Sequence, residues 1–355
     1  MNLKQKINNI TSPIKAIIIL LGLVSISLTF YIHSEWDYHY KHYDVNLSNI
    51  ASQNLEHWYV DLSRKYNSNR LFDKNGIPLV DYANAGIHYN PVTISQYALG
   101  VYEHYLSKRQ EIDRQIFLTQ ANWLVENIKE TTKGFGVWYY HFSPGGISDL
   151  EIPWVSAMAQ GEAISVLLRA YLMTSDTAYL KTAEKALDSF NYTLEEGGVR
   201  SIDKGLIYYE EVPSKQAFHI LNGFIASLFG IYDFYRVTGS VTALKLFNDG
   251  VTTLISKLDH YDTGFWSKYC FYGFRDLTHI IEPLASMHYH NVHIGQLKVM
   301  YAITGKNIFR EYSDKWNQYQ HKFTCKLMHF FYSKLFFRAQ RLLYKMNYLY
   351  FSSSP

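Results

Sequence analysis

The sequence predicts an all-α fold, an α/α toroid of about four helical hairpins with short β-hairpin loops, preceded by a transmembrane helix. Apolar residues recur at helical spacing between Thr93 and Gln320. Four of these helices end on a similar phrase that begins with a tyrosine, and a second helical segment follows each phrase. The four tyrosines, 66, 64 and 66 residues apart, are Tyr105, Tyr171, Tyr235 and Tyr301. A fixed period of helix, turn and helix is typical of arrays whose units share one core.

The stretches between the hairpins differ in pattern from the helices. Residues 197–213, for example, alternate polar and apolar side chains and contain Gly and Pro, which predicts short strands or loops. In a toroid such loops, together with the first turns of the inner helices, line a cleft at one end, where functional residues usually lie. A straight helical array that only binds other proteins has the same periodicity and stays open as an alternative.

The N-terminal region predicts a membrane anchor. Residues 16–32 carry no charge and can cross a bilayer with slight extension, and three lysines precede them. No small-residue cleavage site follows, so we expect a signal-anchor rather than a cleaved signal peptide. The more basic flank should stay cytoplasmic. The resulting order is a cytoplasmic tail over 1–15, a transmembrane helix over 16–32, a stalk over 33–80 and the helical array over 81–322, exported to the Golgi lumen or the extracytoplasmic face.

The C-terminal region, 323–355, forms a separate segment in this prediction. No acidic residue follows Asp314, while lysines and arginines punctuate an aromatic stretch. This pattern predicts a basic aromatic helix that lies on a membrane surface, closes the fold or forms a homodimer contact.

Composition limits the kinds of partner. The net charge of +3 is too small to indicate nucleic acid, and Cys270 and Cys325 cannot build a disulfide framework or a thiolate zinc site. The aromatic share of 17%, with 31 tyrosines, is high. Flat rings with polar groups suit the apolar faces and polar rims of sugars, which favours carbohydrate as the partner.

Polar residues interrupt the apolar pattern near the start of each first helix. These residues, which we expect to line a substrate-binding pocket, are Gln96 with Tyr97, Gln160, Asn222, and the pair His290 and His293. The phrase that contains His288, His290 and His293 also suggests a metal site, because histidines three apart share a helix face. The sequence has no HExxH pattern and no neighbouring cysteine, so we expect no metal and no other cofactor.

Four phrases together resemble the D-glucuronyl C5-epimerases of heparan sulfate and heparosan biosynthesis, over about residues 82–320. They are WVSAMAQGEAISVLLRAYLMT (154–174), YYEEVP (208–213) followed by LNGF (221–224), YDTGFWSKY (261–269) and YHNVHIGQL (289–297). The resemblance implies that 81–322 is an α/α-barrel catalytic domain in a type II membrane protein. It also implies inversion at C5 of glucuronate within an acidic polysaccharide, by removal and return of a proton. A polysaccharide lyase that begins with the same step, or a catalytically impaired polysaccharide-binding member, stays open.

The resemblance also implies roles for single residues. Tyr289 and Glu211 match catalytic positions, and a second tyrosine is Tyr269 if counted from YDTG or Tyr272 if counted back from Arg275. Arg275 would hold the uronate carboxylate, and Asn222, Gln160 and His293 would complete the sugar-binding shell.

Two departures from the family pattern affect these expectations. Val212 stands where the family has a tyrosine after the glutamate, so Tyr208 or Tyr209 would have to replace that phenol, or Glu211 would act alone. The β-rich N-terminal domains of the animal enzymes, which carry a calcium site, have no counterpart among the roughly fifty residues before the array. We therefore expect no metal and a substrate cleft that is shallower or differently built.

Overall fold

The computed structural model describes residues 17, 20–23, 26–27, 44–48, 50, 52–66, 70–143, 150–214, 217–271, 282–335 and 338. After a short helix α1 (Ser63–Tyr66), eight long helices in this part of the chain form four consecutive hairpins. They are α2 (Pro91–Lys108) with α3 (Glu111–Asn127), α4 (Ala157–Thr174) with α5 (Thr177–Asp188), α6 (Leu221–Thr238) with α7 (Val241–Lys257), and α8 (Met287–Thr304) with α9 (Asn307–His321). The predicted helical hairpins are confirmed.

The recurring tyrosine phrase is the turn of each hairpin. The residue after each first helix is left-handed, and its backbone N–H donates to the carbonyl of the repeated tyrosine. The pairs are Arg109 with Tyr105, Ser175 with Tyr171, Gly239 with Tyr235, and Gly305 with Tyr301. This bond satisfies a carbonyl that the helix end leaves open. Glycine adopts the left-handed conformation without strain in the last two turns.

The first helix of each hairpin lies on the inside of the array. α2 packs against α4, α4 against α6, and α6 against α8. The approach of α4 and α6 is close, since a Cβ on Gly230 would lie 2.0 Å from the carbonyl oxygen of Gly161. The two glycines thus allow direct backbone packing in the centre of the core. Closure of the array into a complete toroid stays a prediction.

Short antiparallel strands connect the hairpins, as the alternating stretches predict. β1 (Leu71–Phe72), β2 (Pro78–Tyr82) and β3 (Gly86–Tyr89) form a three-stranded sheet before α2. Three two-stranded ribbons follow: β4 (Lys129–Glu130) with β5 (Gly136–Val137), β6 (Tyr139–Tyr140) with β7 (Trp154–Val155), and β8 (Arg200–Asp203) with β9 (Leu206–Tyr209). The ribbons precede the first turns of the inner helices and so hold side chains at that end of the array.

Part of the region expected as a stalk is packed into the core. Trp58 and Tyr59 are each 2% exposed. The backbone N–H of Trp58 donates to Glu103 on α2 at 2.7 Å, and the Tyr59 hydroxyl donates to Asp233 on α6 at 2.7 Å. Both contacts lie in the C-terminal halves of inner helices, away from the ribbons. The domain therefore includes this segment, and its boundary at residue 81 is corrected accordingly.

Asp233→Asn is expected to lower the free energy of unfolding by about 3–5 kcal/mol, because it leaves buried cations without their counter-charge. Asp233 is fully buried and accepts from Arg169 at 2.8 Å and from Arg236 at 3.3 Å. The control is Asp249→Asn, which breaks an exposed pair with Lys245 and should cost about 0–1 kcal/mol. Urea unfolding of both variants is the measurement. Equal losses would contradict the assigned role of the buried network.

The predicted anchor falls mostly outside the described residues. Of 16–32 the structure describes 17, 20–23 and 26–27, which are helical and exposed. No described helix is long and apolar enough to cross a membrane. At the other end, residues 323–335 are helical; the His329 ring contacts the Ala285 carbonyl at 3.1 Å, and the Tyr332 hydroxyl donates to the Glu282 carbonyl at 3.1 Å. This part of the C-terminal segment thus packs on the domain.

Candidate active site

Glu211 lies in the loop that joins β9 to α6. Its side chain rests on Gly223, where a Cβ would lie 2.1 Å from the Oε2 atom, so glycine makes room for the carboxyl group. The Oε2 atom is buried and has no hydrogen-bond partner. Burial raises the pKa of Glu211 to about 7. A carboxyl group with these properties can accept or release a proton near neutral pH.

The preceding residue, Glu210, faces the opposite way and is fully paired. Its Oε1 atom accepts from the Ser201 hydroxyl at 2.5 Å and contacts His219 Nδ1 at 2.8 Å, and its Oε2 atom accepts from the His219 backbone at 3.2 Å. Three donors hold this carboxylate in a structural role. Of the two adjacent glutamates, only Glu211 is free to act on a ligand.

Tyr269 and Tyr289 form an aromatic pair beside Glu211. Their ring centroids are 4.8 Å apart in an edge-to-face arrangement. The two phenols also affect each other's ionisation: Tyr269 lowers the pKa of Tyr289, and Tyr289 raises that of Tyr269. Burial, and then the nearby Glu211, raise the pKa of both phenols. Tyr289 is therefore the phenol that ionises more readily.

The surroundings of Tyr289 favour a role in contact with a ligand. It lies in the first turn of α8, where the helix dipole favours a negative charge. Its side chain is 36% exposed, in contrast to the more deeply buried Tyr269. Tyr289 is thus partly exposed, with the ring of Tyr269 packed against it.

Sequence reasoning missed two residues of this site, Glu162 and Tyr140. Both act electrostatically with Glu211. The Tyr140 ring stacks on Trp154 at 4.0 Å, and its hydroxyl donates to Asn90 Oδ1 at 3.0 Å. The signal for Glu162 was a single carboxylate in the apolar helix α4. Tyr140 carried no such signal, because its neighbours come from a strand pairing that only the fold reveals.

Val212 lies in the apolar wall of the site. It is 8% exposed and belongs to the same buried cluster as Tyr140, Trp154 and Cys270, against which Tyr269 packs. The tyrosine that shares this cluster with Val212 comes from β6 and not from the loop after Glu211.

Tyr208 and Tyr209, the two tyrosines considered as replacements for the missing phenol, make their contacts elsewhere in the fold. The Tyr209 hydroxyl donates to the Leu246 carbonyl at 2.8 Å, which directs it towards α7. Tyr208 is buried and stacks on His219 at 3.8 Å. Asp203 and Glu210 are the acidic groups that raise the pKa of Tyr208 after burial, and Glu211 is not among them.

Gln160 supports the site but has no surface for a sugar, which corrects its expected role. Its side chain is fully buried, accepts from the Trp138 backbone at 3.2 Å and donates to the Gly136 carbonyl at 2.9 Å and to Ser189 Oγ at 3.1 Å. These bonds join α4 to the ribbon before it and to the end of α5. The polar side chain at this position anchors the neighbouring loops.

His290 and His293 are also buried completely, so neither offers an exposed atom to a ligand. His290 stacks on Trp266 at 3.8 Å, and its Nδ1 atom contacts Ser267 Oγ at 2.7 Å. His293 Nδ1 contacts the same hydroxyl at 3.0 Å. Burial lowers the pKa of His290 to about 3 and also lowers that of His293 strongly, so both rings are neutral. They fix the loop that carries Tyr269.

The remaining predicted residues have different surroundings. Gln96 points into the site, where its Nε2 atom donates to Glu162 at 3.1 Å. Asn222 is buried beside Gly223, and its Oδ1 atom has no partner. Tyr97 packs against Phe72 at 5.3 Å as part of the core, so its expected contact with substrate is wrong. Tyr272 and Arg275 lie outside the described residues.

The part of the chain that the structure describes contains no cluster of three metal-ligating side chains. A cavity of about 650 Å³ opens beyond the loop 210–214 and is lined by Trp154, Arg200, Ser201, Pro213 and His219, among others. Glu211, Tyr269 and Tyr289 do not line it. This cavity therefore adjoins the loop on the Glu210 side and is separate from the carboxylate and tyrosine cluster.

Comparison with known proteins connects this cluster to a family. The family model described as the D-glucuronyl C5-epimerase C-terminus matches residues 132–318, which include Glu162, Glu211, Tyr269 and Tyr289. The chain belongs to this family. The resemblance seen in the four sequence phrases is thereby confirmed, and with it membership of an epimerase family.

Comparison with individual proteins gives several matches. The D-glucuronyl C5-epimerase of Caenorhabditis elegans is 34% identical over 233 residues, which are 60% of this chain and 36% of that protein. An uncharacterized protein of Methanocaldococcus jannaschii is 31% identical over 220 residues, 61% of this chain and 68% of that one. This chain thus matches only about a third of the nematode enzyme. Among solved structures, a GH76 α-mannanase of Bacteroides thetaiotaomicron matches with a TM-score of 0.42 at 13% identity, over 65% of this chain and 55% of that one.

Proposed function

We propose that this chain is a uronosyl C5-epimerase that converts D-glucuronate to L-iduronate within a heparosan-like polysaccharide. One observation carries the proposal: Glu211 has a buried Oε2 atom without a hydrogen-bond partner and a pKa of about 7, and it lies beside the edge-to-face pair of Tyr269 and Tyr289. Family membership and the identity to a D-glucuronyl C5-epimerase support the substrate class.

The reaction requires one proton to leave C5 and another to arrive on the opposite face. Glu211 takes the C5 proton, so that the C–H bond breaks and its electron pair passes towards the adjacent carboxylate of the sugar. The Tyr289 O–H then gives its proton to C5 from the other side. Solvent returns a proton to the phenolate and accepts the one on Glu211. An acid and a base near their own pKa values are effective in such transfers.

The growing negative charge needs stabilisation during this step. Phenol donors in a site with little water stabilise an enolate oxygen more strongly than they do in solution. Among the described residues Tyr269 is the candidate for this donor, because the Tyr140 hydroxyl already donates to Asn90 Oδ1. Arg275 is expected to bind the uronate carboxylate. No redox cofactor or metal is required for this route.

Localisation is part of the same proposal. The uncharged segment 16–32 with lysines before it supports a single-pass anchor with a cytoplasmic N-terminus. We propose that the helical domain acts on an exported polymer.

The direct test is incubation of the purified protein with heparosan in D2O. We expect deuterium at C5 of the uronate and new iduronate signals by NMR, without absorbance from an unsaturated uronate. Unsaturation would identify a lyase, which shares the first proton abstraction. If the polymer binds but gains neither deuterium nor unsaturation, the protein is a polysaccharide-binding protein and the enzymatic proposal is overturned.

The pH dependence should show the ionisation of Glu211. Because the base must be ionised and its pKa is raised to about 7, kcat/KM for C5 exchange should increase as pH rises through neutrality. The ionised fraction of such a group increases from about one tenth at pH 6 to about nine tenths at pH 8. Initial exchange rates over this range are the measurement. A rate that is flat between these values would contradict Glu211 as the base.

A further inference from the structure

Glu162 is a second carboxyl group close to the reaction centre. It lies on the inner helix α4 and is 1% exposed. Its Oε1 atom accepts one hydrogen bond, from Gln96 Nε2 at 3.1 Å. Its Oε2 atom is buried and has no partner. An ionised carboxylate in this position would have only one hydrogen-bond donor, the Gln96 amide, to stabilise its negative charge.

Three other buried acidic side chains in the described part of the chain are paired more fully. Glu103 accepts from the Trp58 backbone and contacts the His57 ring. Glu210 has three donors, as described above, and Asp233 has four, two of them from arginines. A buried charge without such partners is unfavourable, and the group takes up a proton instead. By this comparison Glu162 is neutral.

The polar and titratable groups around Glu162 come from four elements. Lys65 faces it from α1, Gln96 from α2, Glu211 from the loop after β9, and Tyr140 from β6. Among the described cations none forms a salt bridge with Glu162. The negative charge of Glu211 is therefore the strongest charged influence that disfavours its ionisation.

We propose that Glu162 is a positioning residue that stays uncharged beside Glu211 and thereby limits the site to one negative charge, so that an anionic sugar can bind. This inference rests on the proposed function for the identity of the sugar. It assigns Glu162 a role in substrate affinity and not in proton transfer to C5.

The titration behaviour gives the sign of the effect. Burial is the main cause that raises the pKa of Glu162, and the charge of Glu211 raises it further. The hydrogen bond from Gln96 and the charge of Lys65 lower it, and the resulting pKa is about 8. Glu162 is therefore protonated below about pH 8 and ionised above it. As pH rises through this range, the pair passes from one negative charge to two, and a uronate is repelled.

The test is polymer affinity as a function of pH, measured by calorimetry on the full chain. In the natural protein the Kd for heparosan should rise roughly tenfold between about pH 7 and pH 9 as the second charge forms. In Glu162→Gln this rise should become much smaller, because glutamine keeps an acceptor for Gln96 but cannot ionise, and only the remaining ionisation of Glu211 then adds charge. The matched control is Glu103→Gln, which removes a buried carboxyl outside the site and should keep the rise. An unchanged rise in Glu162→Gln would overturn the inference.

A second readout does not depend on any ligand. At about pH 7.5 the natural protein should show the infrared carbonyl band of a buried, protonated carboxylic acid. The variant Glu162→Gln should lose most of this band. Loss of the band together with loss of the affinity rise supports the inference; a band that persists overturns it. Because neither experiment needs turnover, a failure of C5 exchange in D2O would refute the proposed reaction while these results still decide the role of Glu162.

Discussion

Glu211→Gln should lower the rate of C5 deuterium exchange by about 10²–10⁴-fold, the usual contribution of a positioned general base. Glutamine has nearly the same shape, so the contact with Gly223 and the packing of the loop should be kept. What the substitution removes is the ability to take a proton. The measurement is the initial rate of deuterium incorporation into heparosan by NMR, with circular dichroism to show that the variant is folded.

The neighbouring glutamate provides the control for this prediction. Glu210→Gln removes a carboxylate from the same loop, but one that faces Ser201 and His219. It should lower stability, because it weakens bonds that hold the loop, while the exchange rate stays within about tenfold of the natural protein. If both variants are folded and lose exchange equally, then the loop as a whole matters and Glu211 is not the base.

The hairpin architecture could be predicted because its signals are local. The recurring tyrosine phrase marks a turn in which a backbone N–H returns to the tyrosine carbonyl, and this geometry depends on a few adjacent residues. The apolar spacing of the helices is equally local. Glu211 and Tyr289 are predicted as site residues because each lies in a phrase shared with a known family. The structure brings them into one cluster with Tyr269, while their catalytic roles stay a prediction.

The misassigned residues share a physical cause. Gln160, His290 and His293 are polar residues at the expected end of the inner helices, which is also where loops leave backbone groups to be satisfied. Gln160 bonds to the Gly136 and Ala186 carbonyls, and His290 to the Trp316 carbonyl. A sequence shows that a polar residue is present, but not whether it faces a ligand or a loop.

Other features depend on contacts between distant parts of the chain. Glu162 is recognisable only through its neighbours Gln96, 66 residues before it, and Glu211. The segment with Trp58 and Tyr59 looks like part of a linker until Asp233 and Glu103 are placed around it. These pairings arise from the packing of the hairpins, so local patterns carry no trace of them.

Tyr289→Phe should likewise reduce C5 exchange by about 10²–10⁴-fold, since it deletes the acid that protonates C5 from the second face. Only one oxygen atom is lost, and the ring contact with Tyr269 at 4.8 Å remains. Polymer affinity by calorimetry should therefore change less than about tenfold, which separates a defect in proton transfer from a defect in binding.

The companion variant Tyr269→Phe distinguishes the two phenols. It removes the phenol that lowers the pKa of Tyr289, so C5 exchange should fall by a smaller factor, about tenfold. Any basic limb that reports the Tyr289 phenolate should move to higher pH. If Tyr289→Phe keeps its full rate of C5 deuterium exchange while Tyr269→Phe loses most of it, the roles of the two phenols are reversed. In that case the more buried phenol would be the proton donor, and the accessible one would only orient it.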